Sequence, residues 1–195
     1  MSSAICFDFG NTRMKAALFL NGSLKEIRVL STGDVQEIEK LLIEFPAKKT
    51  ILSSVIHHNK DIEQLLAQKT QFHLLGPTSL INFTTPVGKP ETIGADRLAL
   101  IAAAVDLYPQ QHNLVISSGT CITYNFVNNA HAFLGGSISP GMQMRFKAMH
   151  EQTALLPLIS PSNEFPLVGY DTKTNILSGV ILGMAAEIDG IITAY

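Results

Sequence analysis

Three stretches of this chain carry residue types whose spacing suits phosphate chemistry. The first is Ala4-Ile5-Cys6-Phe7-Asp8-Phe9-Gly10-Asn11-Thr12-Arg13-Met14-Lys15: an apolar strand with one acid near its end, a Gly-Asn-Thr turn, then a second strand. Gly10 lets the backbone come close to a ligand. The turn N–H groups, with Asn11 and Thr12, can donate to phosphate oxygens. Asp8 stands where it can hold a hydrated Mg²⁺ beside those phosphates, and Lys15 adds a positive point charge. The second stretch is Glu91-Thr92-Ile93-Gly94-Ala95-Asp96-Arg97. Asp96, in a Gly-flanked turn at the start of a helix, is the candidate general base. Arg97 could clamp a substrate carboxylate in bidentate fashion. The plainer readings are a first-turn acid favoured by the helix dipole and a surface ion pair. The third stretch, Ser117-Ser118-Gly119-Thr120, is another strand–Gly-Thr–strand turn. Two such hairpins suggest an ATP phosphotransferase, which needs charge neutralisation, positioning and a base near the acceptor hydroxyl.

These residues must be held by elements that the sequence also announces. Strands are expected near 4–9, 14–20 and 24–30, with Asn21-Gly22 closing a type I′ hairpin. Val35, Ile38, Leu41, Leu42 and Phe45 recur at helical spacing until Pro46 ends the helix. A strand at 51–55, a helix around Ile62, Leu65 and Leu66, and a strand at 72–75 follow. Three strands and then alternating helix and strand predict a mixed sheet with helices packed on it. After the loop 76–90 comes a helix from Leu98 to Leu107 and a linker candidate at 108–113. The opening plan then restarts: strand 114–117, turn Ser118-Gly119-Thr120, strand 121–127, turn Asn128-Asn129, strand 132–134. The expected organisation is two similar domains, 1–110 and 111–195, facing one another across a nucleotide cleft. Gly135 to Gly141 reads as a Gly-rich turn, followed by helices at about 142–155 and 173–193, the last capped by Asp171 or Thr172.

Composition narrows the class. Of 195 residues 46% are hydrophobic and the net charge is −2, which permits a sizeable core and points to neither a nucleic-acid nor a membrane surface. No segment is expected to reach the roughly 18 apolar residues of a membrane span, and the N-terminus carries no signal-peptide pattern. Cys6 and Cys121 read as core residues in a reducing compartment, which makes the cytoplasm the expected address. The six histidines do not cluster, and His57-His58 reads as a solvated loop pair. Met142, Met144 and Met149 in one helix read as core or interface.

The motifs together resemble the type III pantothenate kinases of the actin-like ATPase superfamily. Asp8-Phe9-Gly10-Asn11-Thr12 with Lys15 resembles the first phosphate motif. Pro90 to Arg97 resembles the pantothenate motif, and Ser117 to Thr123 the second phosphate motif. Gly135 to Gly141, Leu155-Leu156-Pro157 and Gly169-Tyr170-Asp171-Thr172 resemble the later region. The resemblance implies an α/β fold of two ribonuclease-H-like domains, with mixed sheets flanked by helices and the second domain incomplete. It implies transfer of a phosphoryl group from ATP to pantothenate, the first step toward coenzyme A. It also implies Mg²⁺, a monovalent cation such as K⁺ or NH₄⁺, and a homodimer with substrate at the subunit interface. Residue by residue, Asp96 would be the base. Asp8, Gly10, Asn11, Thr12, Lys15, Gly119 and Thr120 would hold ATP. Val87, Gly94, Ala95, Arg97 and Thr172 would bind substrate, and Asp8 and Ser117 would face the metal.

Four departures accompany the resemblance. Ser117 stands where the family carries an acid in Asp-x-Gly-Thr, which removes one unit of charge beside the phosphates. Asn125 replaces a second acid, and Val87 stands where many members have tyrosine. The family also continues beyond the position of Tyr195. An active kinase is the first reading, and a degenerate homologue that binds nucleotide or pantothenate without efficient turnover is the alternative.

Overall fold

Alternation along the first strand decides which way its acid points. In the computed structural model, which describes residues 2–86 and 88–195, β1 (Ser3–Phe9) buries Ile5, Phe7 and Phe9. Side chains on a strand alternate between faces, so Asp8 projects from the opposite side. β2 (Met14–Leu20) buries Ala16 and Leu18 on the same inner face and turns Lys15 outward with Asp8. The two strands pair antiparallel with Asp8 directly opposite Lys15.

β3 (Ser23–Leu30), α1 (Val35–Glu44), β4 (Lys49–Ser54), α2 (Lys60–Lys69) and β5 (Gln71–Leu74) complete a five-stranded sheet of order β3-β2-β1-β4-β5. β4 and β5 run parallel to β1 while β2 and β3 are antiparallel. This is the mixed sheet that the order of strands and helices predicts. The β2–β3 hairpin turns on Asn21 and Gly22, both at positive φ (51° and 78°), as a type I′ turn requires. Ile38 and Leu41 of α1 and Ile62 and Leu66 of α2 pack with Ile5, Phe7, Phe9 and Leu52 into one core. Each such side chain contributes roughly 1.5–3 kcal/mol on burial. α3 (Ala95–Leu107) packs beside β4.

A carboxylate fixes the entry to α1. Asp34 caps the helix through the Glu37 amide (2.8 Å). Glu37 in turn accepts the backbone N–H groups of Ser31, Thr32 and Gly33 at 2.7–3.0 Å. Partial burial pushes the Glu37 carboxyl up, but these donors outweigh it and hold it at about 2 against an ordinary 4.5. Its contribution to stability is therefore complete above pH 4.5 and disappears as the pH falls toward 2. Glu37→Gln is expected to lower unfolding stability at pH 7 by about 1–2 kcal/mol after solvent screening. The deficit should shrink in denaturant titrations repeated at pH 3.

The chain divides into two compact units, residues 1–111 with 128–134, and residues 112–127 with 135–195. In the first unit Thr84 forms a bridge to Ala132, and Phe83 packs edge-on against Phe133. The second unit contains β6 (Asn113–Ser118), β7 (Cys121–Val127) and most of β8 (Phe133–Pro140), in the order β6-β7-β8. It also contains α4 (Met142–Glu151) and α5 (Thr172–Ala194). Phe146 of α4 packs with Ile176, Leu177 and Val180 of α5. Asp171 caps α5 in a reciprocal capping box with Thr174.

Three expectations change here. Gly135 and Gly136 lie inside β8, where Gly136 abuts the Tyr124 carbonyl too closely for any Cβ. The glycines mark a close backbone approach within a strand, not a turn. α4 ends at Glu151, earlier than expected, because the Thr153 hydroxyl bonds the Met149 carbonyl and receives the Leu156 amide. α5 is long and apolar enough to cross a membrane by length and composition, with mean hydropathy 1.7 over its most apolar window. Only 17% of that window is buried, and its buried residues Ile176, Leu177 and Val180 pack against Phe146 of α4.

Candidate active site

In the first unit the site is built on the outward face of β1 and β2 and the first turn of α3. The turn Gly10–Arg13 is closed by the Gly10 amide on the Arg13 carbonyl (3.2 Å), leaving Asn11 and Thr12 exposed at its tip. Asp8 is open to solvent at its rim. The surrounding protein still withdraws enough water to raise its carboxyl above the ordinary range; Lys15 opposes that shift and the negative charge of Asp96 adds to it. Asp8 therefore lies within electrostatic reach of Asp96.

Gly94 explains how Asp96 takes its position. Gly94 is the residue preceding α3, and its carbonyl starts the helix by accepting the Leu98 amide (3.1 Å). Asp96 folds back so that Oδ1 accepts the Arg97 amide at 2.8 Å. A Cβ on Gly94 would stand 2.6 Å from that oxygen. Gly94→Ala is thus expected to move the Asp96 carboxylate while the backbone stays in place. The expected result is a loss of about 10–100-fold in kcat with the melting temperature changed by under about 3 °C, checked by steady-state rates beside a thermal melt.

Arg97 lies over the Phe133 ring, 5.6 Å from its centroid, a cation–π contact. Burial lowers the Arg97 pKa while Asp96 opposes that. Phe133 was not legible as a site residue from the sequence; its place depends on the 128–134 segment joining the first unit. Ala95 is buried, so it can meet a ligand only through its backbone. Val87 lies outside the described residues.

Two further residues carried no signal in the sequence. Ser53 stands beside Asp8 in the β1–β4 register, and its buried hydroxyl has no partner among the described residues. His58 is not solvated: it bridges Ser54 (3.0 Å) and Glu63 (2.9 Å) and meets Phe9 edge-on at 5.7 Å. The burial follows from α2 beginning two residues after it and bringing Glu63 to the ring, which no spacing rule revealed.

In the second unit the Gly119 amide bonds the Cys121 carbonyl (2.9 Å), closing the tight turn that presents Thr120. Ser117 lies near the end of β6, opposite Thr123. Asn125 is fully buried, donating to the Val115 carbonyl (3.2 Å) and Thr123 Oγ1 (3.3 Å), a core role that a neutral amide fills. Thr172 is exposed at the first turn of α5. It borders a groove of about 750 Å³ lined by Arg145, Met149, Leu156, Ile176 and Val180.

Among the described residues no three His, Cys, Asp or Glu side chains gather around a common point. Mg²⁺ commonly binds through one carboxylate, waters and the substrate's own phosphates, so a lone open Asp8 fits such an ion.

The family model for type III pantothenate kinase matches residues 4–194. The chain belongs to this family. A type III pantothenate kinase of Christiangramia forsetii is 42% identical over 193 residues, covering 98% of this chain and 79% of the relative. One of Flavobacterium johnsoniae is 37% identical over 190 residues, covering 96% and 78%. Membership makes the chain a kinase. Among solved structures, a Campylobacter jejuni protein described as belonging to the Baf family of transcriptional activators superposes with a TM-score of 0.56. It has 24% identity and covers 95% of this chain and 78% of that one, a likeness of fold. The expected family resemblance thus holds along nearly the whole chain.

Proposed function

We propose that this chain transfers the γ-phosphoryl group of ATP to the terminal hydroxyl of pantothenate, giving 4′-phosphopantothenate for coenzyme A synthesis. The observation that carries the reading is the pairing of Asp8 with Lys15 on one face, within electrostatic reach of Asp96. In this reading Gly10, Asn11, Thr12 and Lys15, with Gly119 and Thr120, hold the ATP phosphates. Asp8 orients Mg²⁺, which would neutralise charge on the transferring phosphoryl group. Gly94, Ala95, Arg97, Val87 and Thr172 bind pantothenate, with Arg97 meeting its carboxylate. Asp96 takes the proton of the attacking hydroxyl. The alternative of a decayed binding protein is not supported by relatives that carry the kinase name at 37–42% identity.

The finer features belong to the same proposal: two ribonuclease-H-like domains meeting near residue 110, a homodimer, a K⁺ or NH₄⁺ requirement, and a cytoplasmic address. Leu155 and Leu158 are exposed after α4 and Ile192 near the end of α5, apolar surface that a second copy would cover. For the cation, Ser117→Asp is the informative change. Adding one carboxylate is expected to lower the cation concentration for half-maximal rate about tenfold, with kcat changed by under about threefold. A rise in kcat of about a hundredfold would mean that serine disables the site. The reading as a whole is tested by incubating the protein with ATP, Mg²⁺, K⁺ and pantothenate and identifying the product by mass spectrometry. A pantothenate species heavier by one phosphoryl group supports it, and phosphorylation of some other alcohol instead would overturn the substrate assignment.

A further inference from the structure

A carboxylate in the apolar stretch of α5 requires partners, and Glu187 has three, each from a different element. The Tyr124 hydroxyl of β7 donates to it at 2.9 Å. Ser139 Oγ of β8 and Arg145 Nη2 of α4 also donate to it. Tyr124 is fully buried, so its hydroxyl has no solvent to fall back on. The Arg145 guanidinium, first among these donors, holds the Glu187 carboxyl below the usual range. The knot is satisfied on every side, and such networks rigidify the elements they join.

What the knot holds is a corner. Arg145 Nε donates to the Pro140 carbonyl at 2.8 Å, so the same guanidinium that pairs with Glu187 also pins the end of β8. The next residue, Gly141, donates its amide to the Thr120 carbonyl at 3.0 Å. A Cβ on Gly141 would overlap the Gly119 carbonyl and stand 2.5 Å from the Thr120 carbonyl. The corner Ser139–Gly141 thus sits flush against the Gly119–Thr120 turn and has no slack to absorb a shift.

We propose that Glu187 is a positioning residue for nucleotide binding: from α5 it fixes Ser139 and Arg145, Arg145 fixes Pro140, and the corner seats the Gly119–Thr120 turn. This rests on the reading that the turn holds ATP phosphates. Glu187 never touches the nucleotide. Its effect should be larger on the affinity for ATP than on that for pantothenate, whose proposed contact Thr172 borders the groove that Arg145 lines.

The test uses the full chain and calorimetric Kd values for ATP and for pantothenate, which need no turnover. The variants are Glu187→Gln, Ser139→Ala, the double variant and Thr120→Ala, each with a thermal melt. Glu187→Gln is expected to weaken ATP about tenfold, and Ser139→Ala about threefold. The double variant should fall short of the product of the two, as expected for residues acting in one chain. Pantothenate affinity should fall by less than about threefold in Glu187→Gln and stay within about twofold in Ser139→Ala. Should Glu187→Gln fail to fold, Ser139→Ala alone decides: weakened ATP with unchanged pantothenate sustains the proposal. A lowered melting temperature with ATP affinity unchanged would make Glu187 structural only and overturn it. If Thr120→Ala weakens ATP and neither Glu187→Gln nor Ser139→Ala does, the positioning role fails alone. If Thr120→Ala leaves ATP binding intact, the assignment of the turn fails and the proposal falls with it.

Discussion

Asp96→Asn is expected to reduce kcat by about 10²–10⁴-fold while pantothenate and ATP still bind within about threefold of their original affinities. Asparagine keeps the size of the side chain and an oxygen that can accept the Arg97 amide, now bonded at 2.8 Å. The first turn of α3 therefore survives the change. What is lost is the proposed role of Asp96, taking a proton from the attacking hydroxyl. Quenched-flow or steady-state rates beside calorimetry separate the two effects. A variant retaining more than a tenth of the rate would place the base elsewhere.

Gly141→Ala is the second large effect. The new methyl group would meet two backbone carbonyls, those of Gly119 and Thr120, and backbone cannot rotate away as a side chain can. Overpacking of this kind costs roughly 1–3 kcal/mol and sometimes more, so the second unit should lose about that much stability. Because the clash lies on the turn proposed to hold the ATP phosphates, ATP affinity should fall more than about tenfold. Gly183→Ala and Gly190→Ala are the contrast. Both lie inside α5, where an added Cβ meets nothing within 4 Å. Each should stabilise by roughly 0.5–1 kcal/mol, the ordinary gain of alanine over glycine in a helix. Melting curves of the three variants, read with ATP titrations, check the contrast.

Much of the architecture was legible because local rules and tertiary packing agree. The Asn21-Gly22 hairpin needs positive φ at both positions and has it. The alternating apolar residues of β1 face the core, and the acid between Phe7 and Phe9 faces out. Other features depend on neighbours distant in sequence. Gly135-Gly136 looks like a turn in isolation, and only the Tyr124 carbonyl pressed against Gly136 shows why glycine is there. His58 looks like loop until α2 brings Glu63 to its ring. Phe133 becomes the platform for Arg97 because Thr84 bridges Ala132 one residue earlier. Glu187 gave no motif signal, since its partners come from β7, β8 and α4. Spacing finds residues that act through their own strand or turn. It misses those whose partners arrive from elsewhere in the chain.

The most direct measurement is ADP release by the purified protein in ATP, Mg²⁺ and K⁺, with and without pantothenate. The expected result is turnover that requires pantothenate and disappears in Asp96→Asn. Equal ADP release without pantothenate, or none with both ligands bound, would contradict the assignment of this site as a pantothenate kinase centre.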